Sequence, residues 1–377
     1  MVSIHSFRVG AAALAVGALL ALTATSASTA GGTTAASSAS ASASKMLAEL
    51  QTRPAKITNT TPVGKAIPKG KNIIWIVCNI PACSATTPPL QAMAKALDWN
   101  LQVIVQDGTA AGVAAAYAQA VREKPDGVIG GGDPEALFAP ELAQLKAEGV
   151  PVVQEAISDP PGNGIDAVIE GPPTSAVHGR LLALEVVGSS HGPANVLWAT
   201  STFPVLAPLL NGYPAGSGGF APTLKKLCPD CKYSSLVIPA NSLATQAPSL
   251  VVSYLRAHPS INYVVGAFGD VVSGLPAALA AAGLANRVKV VTFSQNPEVD
   301  TYLKDGQISA LVGDVPFEVD AQAMDTLARI FTGEKYEANQ NDLPQWIITK
   351  KTVPSTTEYF PLVAGYLAQY EALWGLR

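Results

Sequence analysis

The side chains with the most reactive chemistry are four cysteines, which occur as two close pairs, Cys78 with Cys83 and Cys228 with Cys231. A Cys-x-x-Cys motif can form a thioredoxin-like redox site, but Cys228 follows the Lys-rich end of a predicted helix, outside the strand-then-helix context of such a site. A four-cysteine zinc site is disfavoured because the pairs lie far apart in sequence. Of the three possible disulfide pairings we predict the local one, Cys78–Cys83 and Cys228–Cys231, because each pair lies within one connection between elements.

Motifs that would indicate an enzyme are weak. The sequence contains neither a P-loop lysine motif nor an H-E-x-x-H zinc motif. Gly130-Gly131-Gly132-Asp133 follows a predicted strand, as a dinucleotide loop would, but it follows the third strand and lacks the third glycine of that fingerprint. His178, His191 and His258 fall on or near predicted helix ends, which indicates surface positions. We therefore predict a protein that is not an enzyme and has no cofactor and no metal.

Composition and charge exclude two other classes of protein. Of 377 residues, 48% are apolar and 14% are charged, and the formal net charge is −4. A nucleic-acid surface needs clustered Lys and Arg, which the sequence lacks. No run of like charge provides an electrostatic membrane anchor. The length is sufficient for two domains with cores of ordinary size.

Residues 1–70 have the composition of an export signal followed by a tether. Arg8 precedes the apolar stretch Ala11–Leu22, and small residues at cleavage spacing follow, so we predict a signal peptide over residues 1–30. An uncleaved anchor is the alternative, disfavoured because the stretch is short and rich in Ala and Gly. Residues 31–70 predict a Ser/Ala/Thr-rich flexible tether and lead-in, and the lead-in over residues 45–70, polar and punctuated by proline, is expected to be ordered or half-ordered. The protein is therefore expected to be exported, at the periplasmic or extracellular face of the cytoplasmic membrane.

From Lys71 onward, short apolar runs alternate with amphipathic segments, the pattern of strands and helices in turn. Asn72–Asn79 is nearly continuous and β-branched, which is typical of a strand buried on both faces. Such repetition predicts a parallel sheet with helices on both faces. The pattern restarts after Gly171-Pro172-Pro173, so we predict an α/β protein of two doubly wound parallel-sheet lobes. The predicted strands are Asn72–Asn79, Leu101–Gln106, Val128–Gly130, Val150–Glu155, Ala167–Glu170, Asn195–Thr200, Ser235–Ile238, Tyr263–Ala267, Val288–Phe293, Ala310–Val312 and Gln345–Thr349.

Four segments carry a resemblance to a known family through their order and spacing: Lys71–Asn79, Lys124–Gly130, Gly149–Glu155 and Ala310–Met324. The second reads KPDGVIG and the third reads GVPVVQE. Over about residues 71–350, the chain resembles the type I periplasmic binding proteins, in particular the ribose-receptor-like, sugar-binding solute receptors of ABC importers. The resemblance implies two lobes joined by a three-crossing hinge, with a ligand cleft between them.

The resemblance also implies where the lobes meet. We expect the crossings near Gly171, near Asp314–Pro316 and near Leu343–Gln345. The lobes are then discontinuous in sequence: residues 71–171 with 316–343, and residues 172–315 with 344–377. In open α/β sheets ligands bind beyond the carboxyl ends of the strands, so two facing edges form a cleft that closes on a solute.

Residues that follow the predicted strands are therefore the candidate ligand contacts. Carboxylates and amides bond the hydroxyl groups of carbohydrates, and aromatic faces cover their apolar C–H patches. The candidates are Asn79, Gln106, Asp133, Glu155, Phe203, Phe268, Asp270, Ser294, Gln295 and Asp314. Asp133 has a second interpretation, as the N-cap of a helix. Phe203 and Phe268 could instead belong to the hydrophobic core.

The chain departs from the sugar receptors at three places. Glu155-Ala156 stands where the family commonly has Asp-Arg, and Asn211–Phe220 keeps a Gly-Phe turn but contains no Arg. Gly269-Asp270 stands where the family has Asn-Asp. A cleft without the usual cations allows a less polar or cationic solute. We hypothesise a small neutral or weakly cationic solute that contacts Glu155 and Asp270, with Asp314 at the crossing.

The predicted function is capture of a small molecule, a sugar or related solute, for an ABC importer by lobe closure. The expected partners are that solute and an ABC permease, with no nucleic acid, and the protein is expected to be a monomer. The alternative is a ligand-sensing receptor that presents the same fold to a membrane signalling partner. A repressor is excluded because no helix-turn-helix precedes the core.

Overall fold

The computed structural model describes residues 45–79, 81–239 and 242–377. The predicted signal peptide and the first part of the tether lie outside the described residues. Within the described ranges, no helix has both the length and the hydrophobicity that a membrane span requires.

Twelve strands and fourteen helices follow one another along the described chain. The strands are β1 (Asn72–Cys78), β2 (Asn100–Gln106), β3 (Gly127–Gly131), β4 (Val152–Glu155), β5 (Ala167–Ile169), β6 (Asn195–Ser201), β7 (Lys232–Ile238), β8 (Tyr263–Gly266), β9 (Lys289–Phe293), β10 (Ala310–Val312), β11 (Asn339–Gln340) and β12 (Ile347–Ile348). The helices are α1 (residues 45–50), α2 (Pro81–Ser84), α3 (Thr87–Ala96), α4 (Ala110–Glu123), α5 (Ala139–Ala147), α6 (Pro172–Ser189), α7 (Ala207–Asn211), α8 (Phe220–Leu227), α9 (Leu243–Ala257), α10 (Gly269–Val272), α11 (Leu275–Ala281), α12 (Pro297–Asp305), α13 (Pro316–Thr332) and α14 (Tyr366–Leu373).

The strands form two six-stranded sheets with equivalent orders, β11-β5-β4-β3-β1-β2 and β12-β10-β9-β8-β6-β7. Every pairing is parallel except that of β10 with β12, which is antiparallel. The predicted fold class, two doubly wound parallel-sheet lobes, is confirmed. Because β11 and β12 belong to different sheets, the chain passes between the sheets three times: after β5, after β10 and after β11.

Burial explains why the central strands form where they do. In β1 the run Ile73–Val77 is buried without interruption, as expected for a strand covered by helices on both faces. Its register places Cys78 opposite Gln106 on β2, and β4 places Glu155 opposite Gly131 on β3. The carboxyl ends of these strands therefore lie along one edge of the first sheet.

Helix α13 follows the second crossing and is buried over Phe317–Arg329. It packs against β4, β5 and α3 of the first lobe, and α14 packs against both α13 and α3. The prediction had assigned residues 344–377 wholly to the second lobe. Strand β12 does lie in the second sheet, whereas α14 lies on helices of the first.

Residues 45–70, which the sequence predicts to be an ordered or half-ordered lead-in, are held against the C-terminal segment. Val63 N donates to Leu373 O at 2.7 Å, and the guanidinium of Arg53 donates to the carbonyls of Leu362 and Pro361 at 2.9 and 2.7 Å. Leu47, Ile57 and Val63 are buried in the hydrophobic cores. The lead-in is therefore packed against the rest of the described chain.

Candidate functional site

At the edge of the first sheet, two of the predicted contacts bond each other. Gln106 Nε2 donates to Asp133 Oδ2 at 3.0 Å, and Gln106 Oε1 accepts from the backbone N of Gly108. Burial raises the pKa of Asp133 to about 6. Asn79 is exposed at the end of β1, beside the disulfide of Cys78. This edge therefore presents amide and carboxyl groups.

At the edge of the second sheet, the predicted polar contacts bond mainly to the second crossing. Gln295 Nε2 donates to Asp314 O at 2.9 Å, and Asp314 N donates back to Gln295 Oε1 at 2.7 Å. Ser294 Oγ donates to Asp314 Oδ2 at 3.0 Å, and Val315 N donates to Asp314 Oδ1 at 2.9 Å. The second amide hydrogen of Gln295 reaches Phe360 O at 3.4 Å. Gln295 therefore fixes the backbone of the crossing.

The aromatic candidates of the second lobe lie together. Phe203 and Phe268 pack edge to face with their ring centroids 5.9 Å apart. Phe203 follows β6 and its side chain is 44% exposed, which is unusual for a ring of this size. Asp270, two residues after Phe268, has a raised pKa because it is partly buried and because it faces the charge of Glu298.

Both predicted local disulfides are present. Cys78–Cys83 links the end of β1 to α2, and Cys228–Cys231 closes the turn between α8 and β7. In the part of the chain that the structure describes, no cysteine is free.

Two of the predicted contacts, Glu155 and Asp314, lie beside carboxyl groups that were not among the predicted contacts. Glu155 contacts Asp320 of α13, and Asp314 contacts Glu170, which follows β5. With Glu318 of α13, whose charge reaches Glu170, they form what we call the carboxyl cluster: Glu155, Glu170, Asp314, Glu318 and Asp320. The cluster joins the edge of the first sheet to two of the crossings.

Burial dominates the ionisation of the carboxyl cluster. It raises the pKa of Glu155 well above the ordinary value, and the neighbouring carboxyls of Asp320 and Glu170 raise it further. Burial likewise raises the pKa of Glu170, with Asp314 as the next cause, and raises those of Asp314 and Asp320. The pKa of Glu318 rises to about 8 for the same reason, opposed by the N–H of Val363 and by Arg53.

Within the described chain, the carboxyl cluster forms no ion pair, and three of its oxygens lack a donor. Among the described residues, none of the ion pairs includes a member of the cluster. Glu155 Oε1, Asp320 Oδ2 and Glu318 Oε2 have no hydrogen-bond partner, although these residues are only 8%, 6% and 1% exposed. Such buried, unpaired oxygens are rare in native proteins and call for an explanation.

Two signals in the sequence point to the missing members. Glu170 directly follows β5, so the rule that selected the ends of other strands selects it too. Glu318 and Asp320 are acidic residues in an otherwise apolar stretch of α13. A search of the described residues finds no group of His, Cys, Asp or Glu side chains arranged to hold a metal ion.

The predicted surface position of His178 is wrong. This residue lies in α6, is 1% exposed and stacks on Phe293 with centroids 4.5 Å apart. Burial lowers the pKa of its imidazole to about 3. The sequence pattern predicts a helix from Ser175, which puts His178 in its first turn, whereas α6 already begins at Pro172 and buries His178.

Residues 188–192 (GSSHG) have the spacing of a hydrolase nucleophile elbow but not its setting. In such an elbow the serine lies at a sharp strand-to-helix turn. Ser190 instead follows the end of α6, and its hydroxyl donates to Val187 O at 3.0 Å. The segment is a helix terminus.

A cavity of about 390 Å³ lies away from the candidate contacts, between residues 58–61, α13 and the loop before β11. Gln322, Asp325, Arg329 and Gln340 are among its lining residues. The buried pair Arg329–Asp325, at 2.7 Å, forms part of its wall, and Asn59 Nδ2 donates to Asp325 Oδ2 at 2.6 Å. Most of its polar groups bond one another, which indicates a structural role.

Comparison with known proteins gives a consistent family. The sequence model for the periplasmic binding protein domain matches residues 79–335. The ribose import binding protein RbsB of Salmonella typhimurium is 29% identical over 100 residues, which cover 26% of this chain and 33% of that protein. The match to RbsB of Escherichia coli has the same extent at 27% identity. The matched segment thus spans a third of the length of these curated relatives.

Solved structures match over most of the chain. An ABC transporter solute binding protein from Burkholderia graminis, in complex with D-arabinose, has a TM-score of 0.65 and 18% identity, covering 78% of this chain and 100% of that one. A periplasmic solute binding protein from Actinobacillus succinogenes, with bound D-allose, has a TM-score of 0.64 and 18% identity, covering 75% and 99%. At these identities the likeness is one of fold.

Proposed function

The chain belongs to the periplasmic binding protein domain family, and from that premise we propose that it captures a small solute, a sugar or related molecule, between its lobes for an ABC importer. The observation that carries this proposal is the contact of Glu170 with Asp314. Glu170 follows β5 of the first sheet and Asp314 follows β10 of the second. The carboxyl edges of the two sheets therefore meet at the crossings, where ligands of open α/β sheets bind.

The chemistry of the two edges suits a polyhydroxy solute. Gln106 and Asp133 offer amide and carboxyl groups for hydroxyl pairs. Phe203, exposed beside Phe268, offers an aromatic surface for an apolar face of the ligand. The matched solute-binding proteins hold D-arabinose, D-allose and, for one from Agrobacterium vitis, allitol, which are all polyhydroxy molecules.

Capture requires the lobes to move, and three short crossings are suited to hinge motion. Gly171 N donates to Asn341 Oδ1 at 2.9 Å, which ties the first crossing to the third. Gly313 N donates to Trp346 O at 2.9 Å, which ties the second to the third. These bonds support our proposal that the three crossings act as one hinge. In this proposal the exported, monomeric protein closes on its solute and presents the closed form to an ABC permease.

The test is a ligand screen on the purified exported protein. The panel contains ribose, arabinose, allose, allitol, amino sugars and linear amines, and the readouts are thermal melting and small-angle X-ray scattering. A true ligand at about a hundred times its Kd stabilises the folded state by about 2.7 kcal/mol, which raises the melting temperature by a few degrees. It also lowers the radius of gyration. Saturating solutes that change neither quantity contradict the proposed function.

A further inference from the structure

We infer that the solute carries a protonated amine, which the carboxyl pair Glu155–Asp320 at the edge of the first lobe binds. This inference rests on the proposed function, because it concerns the ligand of the same cleft. It narrows the ligand from a small neutral or weakly cationic solute to a cationic one. It also assigns Asp320, which the strand-end rule does not select, to the site.

The geometry of the pair is the first support. Glu155 ends β4 and Asp320 lies in the second turn of α13, and their carboxyl groups contact each other. Thr86, just before α3, also bonds Asp320. Two carboxylates in contact repel, so the pair needs either a shared proton or an added positive charge. The negative charge of Glu170 also repels Glu155, which makes a shared proton or an added positive charge more favourable.

The unpartnered oxygens are the second, independent support. Glu155 Oε1 and Asp320 Oδ2 each lack a donor, on residues that are more than nine-tenths buried. An unpaired buried carboxylate oxygen is costly, so a bound group with several donors is favoured there. An ammonium group has three donors and no acceptor, and it can bond both oxygens at once. A hydroxyl group has one donor, and its lone pairs would face carboxylates.

The protein does not supply this charge itself from the described residues. Arg53 acts on Glu318, but its guanidinium is bonded to the carbonyls of Leu362 and Pro361 and lies over the ring of Trp346 at 5.3 Å. The positive charge is therefore left for the ligand.

Matched pairs of probes test the inference. The pairs are D-glucose with D-glucosamine and 1,4-butanediol with 1,4-diaminobutane, titrated into the exported protein by calorimetry. We expect the cationic member of at least one pair to bind at least about tenfold more tightly, the effect of one charge-assisted hydrogen bond. Glu155→Gln and Asp320→Asn should each abolish that preference. Glu148→Gln, the same change at an exposed residue of the same lobe, should leave it intact.

A second measurement needs no variant and reports the shared proton. Binding of 1,4-diaminobutane should release protons, seen as a dependence of the heat on the ionisation enthalpy of the buffer. Its affinity should rise between about pH 5 and about pH 8, because the ammonium competes with protons for the pair. The other titratable or charged groups that face the pair are Glu170, Asp314 and Glu318 of the cluster, with Tyr117 and Tyr366, which sense the charges of Glu155 and Asp320 respectively.

The outcomes separate this inference from the proposed function. Cationic preference with proton release supports it. Equal or tighter binding of the neutral members overturns the inference and leaves the proposed function standing. If none of these probes binds and the wider panel of sugars, polyols and amines also fails, both are overturned. Binding by the wider panel of neutral solutes alone overturns only the inference.

Discussion

The carboxyl edges of the two sheets occupy equivalent places in the fold but carry different side chains. The sheets have the same strand order, and each ends at the crossings. The first edge holds Gln106, Asp133 and Glu155, and the buried Oε1 of Glu155 has no hydrogen-bond partner. On the second edge Gln295 is bonded on both sides to the backbone of Asp314. The first edge therefore has a polar group available to bind a ligand, whereas the polar groups of the second edge mainly bond the residues of the hinge.

This difference shows that the role of a polar residue at a strand end depends on which groups its donors and acceptors already bond. The side-chain amide of Gln295 bonds the backbone of the crossing and so has a structural role. The side-chain amide of Gln106 bonds another candidate contact, Asp133. On the second edge the exposed ring of Phe203 is the group left for a ligand. We therefore expect the first lobe to supply polar recognition and the second to supply a covering surface.

The comparison predicts the largest effect for removal of the framework amide. Gln295→Ala leaves the buried N–H and C=O of Asp314 without these partners, which should lower the free energy of unfolding by about 2–4 kcal/mol. Gln106→Ala removes the bonds to Asp133 and to the N–H of the exposed Gly108, which water can replace, and should cost about 1 kcal/mol or less. Denaturant unfolding of both variants measures the difference. Equal losses would show that the two edges are not distinct in this way.

The second effect is on binding at the first edge. Glu155→Gln should weaken the solute about ten- to a hundredfold, since it removes one charged hydrogen bond of about 1.5–3 kcal/mol. Asp314→Asn should weaken it less, because both oxygens of Asp314 already accept from Ser294 and Val315. Calorimetry with whichever solute the screen identifies gives both values. A larger loss for Asp314→Asn would move the centre of recognition to the crossing.

Much of the fold was predictable because its strands are buried on both faces. Runs such as Ile73–Val77 are continuously apolar, short and rich in β-branched residues, which distinguishes them from longer amphipathic helices. Boundaries were less predictable where proline misleads: the sequence predicts a helix from Pro248, whereas α9 begins at Leu243 and contains Pro248 in its interior. The two-residue strand β11 was missed because no periodicity exists over such a length.

The candidate site was only partly predictable. Choosing residues at the ends of predicted strands identifies candidate positions, but it does not identify the side chains that contact them. It selects Glu155 and Asp314, but it gives no reason to pair them with Asp320 and Glu170, which are distant in sequence. Those contacts exist because α13 returns to the first lobe and packs against β4 and β5. The bonding that commits Gln295 to the hinge likewise depends on tertiary placement. Which candidates contact a solute stays a prediction.

The third effect is on stability, through the carboxyls of the first edge and the crossings. Their pKa values are raised in the folded protein, to about 8 at Glu318, so between about pH 4 and pH 8 the folded state binds more protons than the unfolded state. The free energy of unfolding without ligand should therefore fall as pH rises through this range, by about 3 kcal/mol or more between pH 5 and pH 8. Melting curves across pH measure it.

Asp320→Asn provides the control for this pH dependence. It removes one ionisation that burial makes unfavourable, so the loss of stability on raising the pH should become smaller. Asp98→Asn, an exposed acid in the same lobe, should leave the pH profile unchanged. Stability that increases from pH 5 to pH 8 would show that the cluster is already paired with positive charge in the free protein.

The smallest effect is expected at the aromatic surface of the second edge. Phe203→Ala should weaken the solute by about 0.5–1.5 kcal/mol, roughly two- to tenfold, because the ring covers an apolar face and forms no directed polar contact. Its exposure means that the melting temperature without ligand should change little. Tyr233→Ala is the matched control, since this ring is also 44% exposed in the second lobe but lies on the edge strand β7. If Tyr233→Ala weakens binding as much as Phe203→Ala, the loss is not specific to the ring at the end of β6. The second sheet edge would then not supply the aromatic contact that distinguishes it from the first.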